Sequence, residues 1–234
     1  MSSVLTSPIP IHRSALAAIL DGQPDWQVRP VPEMVPTGIA GIDAFTGGLP
    51  RGCLTEIVGP ASSGRTSLLL SLMAGTTARE EVCALIDAAD TFEPAGAAAA
   101  GVRLEKLLWV RSSGDAERAL KAADLLVQGG GFGLVVMDLG DTVPETARRI
   151  SLTSWFRLRR AVEHTPTVLV TLVRQPVAGT SASLVVECAR ERVAWSGARG
   201  CSHLLRAIEV RLAGRKPARN GAAYFRARAL VSPE

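Results

Sequence analysis

Residues 59–67 read GPASSGRTS, one residue away from the phosphate-cradling pattern G-x-x-x-x-G-K-[ST]. Gly59 and Gly64 supply the backbone freedom that such a loop needs. The amides of residues 61–66 then point inward at phosphate oxygens, at the positive end of the following helix. Ser62, Ser63, Gly64, Arg65, Thr66 and Ser67 would line the cradle with Gly59, and Thr66 is placed to ligand Mg²⁺. Arg65 stands where the pattern has lysine. A planar guanidinium binds phosphate bidentately but does not thread under it as a compact ammonium does. The second half of such a site is an acidic residue closing an apolar strand. LVVMD supplies it as Asp138, about 70 residues downstream. Whether the pair forms a working nucleotide pocket or the scaffold of one is open at this level.

The elements that would position these residues follow from periodicity. CLTEIVG (53–59) predicts a strand running into the glycine loop, and SGRTSLLLSLMAGTTARE (63–80) a helix leaving it. EVCALIDA (81–88), KLLWVRSS (106–113), GLVVMDLGD (133–141) and TPTVLVTLVRQP (165–176) read as further strands. EPAGAAAAGV (93–102), GDAERALKAADLLVQGG (114–130) and PETARRISLTSWFRLRRAVEH (144–164) read as helices, and TGIAGIDAFTGG opens with Thr37 as a cap. Strand and helix alternation predicts an α/β fold with a mainly parallel, doubly wound sheet. Beyond residue 183 the pattern changes to consecutive strands, SLVVECARERVAW, HLLRAIEVRLAGRK and AAYFRARAL, an antiparallel extension of the same sheet. The expected organisation is an arm over 1–35 (a helix at 12–22, then a proline-rich linker), a nucleotide-binding core over 36–182 and a basic β-rich extension over 183–234.

The chain has 234 residues, 47% hydrophobic and 21% charged, enough for one sizeable core. Cys53, Cys83, Cys188 and Cys201 lack the spacing of a metal knuckle or a redox pair, and His12, His164 and His203 are scattered. No apolar run reaches the roughly 20 residues of a membrane span, and the expected location is the cytoplasm. Charge is unevenly placed. Residues 1–147 hold 10 Lys and Arg against 17 Asp and Glu; residues 148–234 hold 16 against 5, so net −7 faces net +11. The excess points to a polyanion or an acidic protein near the C-terminal half; arginines blunting solvated strand edges are the alternative. Candidate contacts are Arg157, Arg159 and Arg160 in the helix that also carries Trp155 and Phe156, and Arg211, Arg215, Lys216, Arg219, Arg226 and Arg228 on the terminal strands. For Trp155 and Phe156, stacking on bases competes with burial under an amphipathic helix.

The stretches TGIAGIDAFTGGLPRGCLTEIVGPASSGRTSLLLSLMA, CALIDAADTFEP and GVRLEKLLWVRSSGDAERALKAADLLVQGGGFGLVVMD resemble the nucleotide-binding core of the bacterial RecA recombinases over about residues 37–140. RERVAW followed by HLLRAIEVRLAGRKPARNG resembles, more loosely, the small RecA-like ImuA proteins. The resemblance implies a RecA-like P-loop core taking ATP and Mg²⁺, and a role in DNA-damage tolerance, in translesion synthesis and SOS mutagenesis. It also implies partners: an ImuB-like Y-family polymerase homologue, RecA, an alternative replicative polymerase, single-stranded DNA near the nucleoid, and further copies of the chain. It marks departures as well. The family carries a glutamate after I-D-A that polarises the attacking water; here Ala89 holds that register, with Asp90 one position along as a weak substitute. A family glutamine that senses the γ-phosphate has only Arg174 and Gln175 near its place, and residues 139–150 and 176–183 are too short for the long DNA-binding loops. Three functions stay open: an accessory protein with a degenerate ATP site, a DNA-dependent ATPase, and an oligomeric scaffold without DNA contact.

Overall fold

The strands that read as unbroken apolar runs in the sequence are those buried on both sides. In the computed structural model, which describes residues 31–197 and 204–229, VLVTLV forms β7 (Val168–Val173) with all six residues buried. A parallel strand is covered by helices on both faces, so alternation disappears from its sequence. The same holds for β3 (Cys53–Val58), β4 (Cys83–Asp87) and β6 (Leu134–Asp138). β5 (Leu107–Arg111) lies at one edge and is half exposed. Three strands complete the sheet: β8 (Leu184–Ser196), β9 (Leu204–Lys216) and β10 (Ala223–Arg228).

The eight strands lie in the order β10-β9-β8-β3-β7-β6-β4-β5. β3, β4, β5, β6, β7 and β8 pair in parallel, while β9 and β10 are antiparallel additions. The α/β class and the antiparallel C-terminal strands are as the sequence predicts. The first strands, β1 (Met34–Val35) and β2 (Leu49–Pro50), form a separate antiparallel ladder. Residues 34 and 35, at the end of the expected linker, are thus drawn into structure, whereas the helix expected over 12–22 lies outside the described residues.

Helices cover the two faces. On one side α1 (Ala40–Thr46) and α2 (Arg65–Ala78) stand over the sheet, and Leu68, Leu69, Leu72 and Met73 of α2 join Ile57, Leu85, Val136 and Val170 in one core. α3 (Pro94–Ala99) lies beside them, capped by the Glu93 carboxylate. On the other side α4 (Ala116–Gly129) and α6 (Leu152–Val162) bury Leu120, Ala123, Val127, Trp155, Leu158 and Val162 against Leu54, Val135 and Leu169. The single helix expected over 144–164 is two: α5 (Pro144–Arg148) stops, and Ser151 caps α6 by accepting the Ser154 amide at 3.1 Å. A serine side chain that satisfies a first-turn amide starts a helix rather than continuing one. Thr37 is likewise not the cap of α1, which is Ile39; its hydroxyl instead accepts the Ile39 amide and donates to Asp43 at 2.7 Å.

Glu56 is fully buried in the middle of β3. Its Oε1 accepts the amides of Val177 and Ala178 at 2.9 and 3.0 Å, tying the segment after β7 to the sheet. Burial, the largest influence, pushes this carboxyl above its ordinary value despite the two amides. Among the described residues no helix is long and apolar enough to cross a membrane.

Candidate nucleotide site

The glycine loop sits at the carboxyl end of β3, in the middle of the sheet, where open α/β sheets bind ligands. Its shape is forced by what presses on it. A Cβ on Gly59 would lie 2.5 Å from the Cys188 carbonyl oxygen, and one on Gly64 2.5 Å from Val210 Cγ2. Gly64 also has φ +92°, the left-handed region that favours glycine. Both glycines of the motif are therefore required by β8 and β9 as well as by the loop. Ser63, Gly64 and Arg65 are buried, Ser62 and Thr66 are exposed, and Ser67 lies between.

β3 pairs with β8 only over Leu184 to Glu187. Residues 188–196 run on past the end of β3 with β9, bent by register shifts at Arg190/Arg192 and Ala194/Trp195. This hairpin leans over the loop and encloses a cavity of about 450 Å³, lined by residues 62–67, Asp141, Arg190, Val193, Trp195, Leu205 and Ile208. None of the hairpin residues of this wall is expected at the nucleotide site from the sequence, where Arg190 reads only as part of the basic terminal strands. Their alternation was readable, but not which element that face would meet.

Arg65 is 6% exposed and folds across to the end of β6. Its Nη2 donates to the Gly140 carbonyl at 3.3 Å and lies 3.7 Å from Asp141 Oδ1. Arg174 Nε donates to the same carbonyl at 2.9 Å. A Cβ on Gly140 would stand 2.1 Å from Arg65 Nη1, so the glycine of LGD makes room for the longer side chain. Two buried polar atoms in this wall, Arg65 Nη1 and Ser63 Oγ, have no hydrogen-bond partner.

Asp138 ends β6 as expected, and its Oδ1 accepts the Gly140 amide at 2.8 Å. Burial pushes its carboxyl up to about 6, against the pull of that amide and of the Arg65 charge; Asp141 and Asp87 push the same way as burial. Thr66 and Asp138 are the pair that would hold Mg²⁺. Of the two orphaned atoms, Arg65 Nη1 is a donor and Ser63 Oγ can donate or accept, and a fixed guanidinium already supplies positive charge. Among the described residues no group of three or more His, Cys, Asp and Glu could hold a metal ion. With the Arg65 guanidinium lying against Asp141 and acting on Asp138, the site suits an anion better than a divalent cation.

The strand-end turn after β4 has no carboxylate free to act as a base. Asp87 is buried and spends its carboxylate on the amides of Asp90, Thr91 and Phe92 at 2.8, 3.2 and 2.9 Å. Asp90, with φ +64°, is held by both Nε and Nη2 of Arg111, which keeps its carboxyl below its ordinary value. Arg111 in turn stacks 5.4 Å from the Trp109 ring centre. Asp90 is thus committed to a surface pair, and Ala89 offers nothing. Gln175 accepts from Arg148 and does not line the cavity. Cys188, beneath the loop, is pushed up to about 12 by burial and is a packing residue.

The basic candidates separate into two groups. Lys216 caps the carbonyls of Thr180 and Ala182, and Arg219 those of Phe45 and Thr46. Arg215 pairs with Glu187, Arg211 with Glu191 at 3.9 Å, Arg157 with Asp124 at 3.5 Å and Arg159 with Glu163 at 3.2 Å. Arg226 and Arg228 are exposed and form no ion pair among the described residues; Arg160 is exposed beside them in character though not in place. With Tyr224 they share one face of edge strand β10, opposite Arg211, Glu209 and Ala207 of β9.

Residues 21–148 match the family described as the RecA N-terminal domain. The chain is 33% identical over 154 residues to Protein RecA of Mesorhizobium japonicum, a match that covers 59% of this chain and 42% of that relative. The chain thus spans less than half the length of the curated relative it matches. With more than half of its residues matched, and with the glycine loop, strand order and Asp138 placed as described, the chain belongs to the RecA family.

Proposed function

We propose that this protein is a RecA-family accessory factor in DNA-damage tolerance, of the ImuA type, that binds nucleotide in its glycine loop without turning it over. Its output is contact: with an ImuB-like Y-family polymerase homologue, with RecA or an alternative replicative polymerase, and with single-stranded DNA. The observation that carries the reading is the turn after β4, where Ala89 replaces the water-polarising carboxylate and Asp90 is locked to Arg111. A positioned base is worth about 10²–10⁴ in rate. Phosphate release from ATP by the purified chain is expected to stay at background with or without single-stranded DNA. DNA-stimulated release that disappears in Asp138→Ala would establish the second reading, a DNA-dependent ATPase, which the preserved loop and Asp138 favour.

DNA contact is placed on Arg226 and Arg228, the terminal-strand candidates that serve no internal partner. Each phosphate contact to a single strand contributes about −0.7 to the slope of log affinity against log salt. The double change Arg226→Ala/Arg228→Ala is expected to flatten that slope by about 1 to 1.5 in a filter or gel assay. The same change at Lys216 and Arg219 should act on stability instead. An unchanged slope in the first variant removes β10 from the DNA surface.

A further inference from the structure

We infer that the cavity over the glycine loop takes a nucleoside triphosphate without a divalent cation, its phosphates held by Arg65 and Ser63 and its base lying against Trp195. The inference rests on the reading of the loop as a binding, non-hydrolytic site and specifies its ligand chemistry.

Three observations converge on an anion. Arg65 Nη1 and Ser63 Oγ belong to side chains 6% and 1% exposed, line the cavity, and have no partner. Of the eleven buried side-chain atoms without a partner among the described residues, these two are the ones whose residues line the cavity, where a bound anion would satisfy them. The start of α2 opens on the same space, adding its unpaired amides and positive end. The cavity carries two guanidiniums, Arg65 and Arg190, against one carboxylate, Asp141, which Arg65 already partners. A divalent cation would meet the Arg65 guanidinium, which already lies against Asp141 and acts on Asp138. The guanidinium supplies, as part of the chain, the neutralisation that a metal brings from solution, and Gly140 is the residue that lets it reach.

The opposite wall is apolar. Val193 faces Ile208 and Trp195 faces Leu205 across the β8–β9 ladder, all four on the cavity side. Trp195 is 60% exposed at this wall, beside Leu205 at 43%. A phosphate cradle on one wall and an exposed indole on the other match the two ends of a nucleotide, with stacking that tolerates any base.

The test is titration of the full chain with ATP, read by calorimetry and by tryptophan fluorescence, in EDTA and in excess Mg²⁺. Dissociation constants within about threefold of each other are expected. Arg65→Lys should weaken binding in EDTA tenfold or more and restore a preference for Mg²⁺, whereas Trp195→Leu should weaken both arms equally and remove the fluorescence change. ATP binding at least tenfold tighter in Mg²⁺ would overturn the inference and leave the non-hydrolytic reading standing. Absence of ATP binding in both arms would overturn the inference together with the nucleotide part of that reading.

Discussion

Replacing Trp155 by alanine is expected to destabilise the protein by about 3–5 kcal/mol, the range for truncating a fully buried large aromatic. The indole is 0% exposed in α6 and belongs to the core with Leu158, Val162, Leu120 and Leu169. Its removal forfeits the transfer free energy of the ring and leaves a cavity that α4, α6 and the sheet only partly close. For a chain of this size each kcal/mol lowers the melting temperature by about 2–4 °C, so a fall of about 6–20 °C should appear in a thermal scan. The indole Nε1 has no hydrogen-bond partner. Trp155→Phe therefore keeps most of the apolar contact, relieves an unmet donor, and should cost much less, about 1 kcal/mol. Phe156, its neighbour, is 44% exposed, and Phe156→Ala should stay within about 1 kcal/mol. A melting temperature unmoved by Trp155→Ala, with weaker DNA binding, would return Trp155 to the stacking role that its basic surroundings suggest.

Gly64→Ala is expected to cost about 2–5 kcal/mol and to abolish nucleotide binding. Two causes add. A Cβ at φ +92° costs roughly 1–2 kcal/mol in backbone strain. The same Cβ would stand 2.5 Å from Val210 Cγ2, a buried side chain of β9, and overpacking of that kind costs about 1–3 kcal/mol. The second cause can be isolated. In a double-mutant cycle by urea unfolding, Val210→Ala should recover part of the loss, giving a coupling of about 0.5–2 kcal/mol, while the strain remains. A coupling near zero would mean that the loop and the β8–β9 hairpin are not in mechanical contact, and the hairpin would no longer be the roof of the nucleotide cavity.

How much of this was readable beforehand differs from residue to residue. Asp138 is legible from its strand together with the glycine loop about 70 residues upstream: an apolar run ending in a carboxylate is a local pattern, and the loop gives it a role. Arg65 was visible as a departure, but its destination was not: Gly140 and Asp141 lie about 75 residues away, and only the placing of β3 and β6 in one sheet brings them within reach. Asp90 is a weak candidate base by position in the sequence, but Arg111, on the neighbouring strand, holds it. The terminal arginines looked alike in the sequence. Folding sorts them by hydrogen-bond and ion-pair partner: helix-end and loop carbonyls for Arg219 and Lys216, carboxylates for Arg211 and Arg215, and no ion pair among the described residues for Arg226 and Arg228.

The sequence by itself determined the strand–loop–helix order, the α/β class and the antiparallel tail. These are properties of short windows, set by side-chain periodicity and by which atoms a residue possesses. Only the tertiary structure decided the direction of the Arg65 guanidinium, the hairpin wall carrying Trp195, and the burial of Trp155. Each depends on which distant segments the sheet order makes neighbours, and a strand's own residues do not encode the identity of the surface its face will meet.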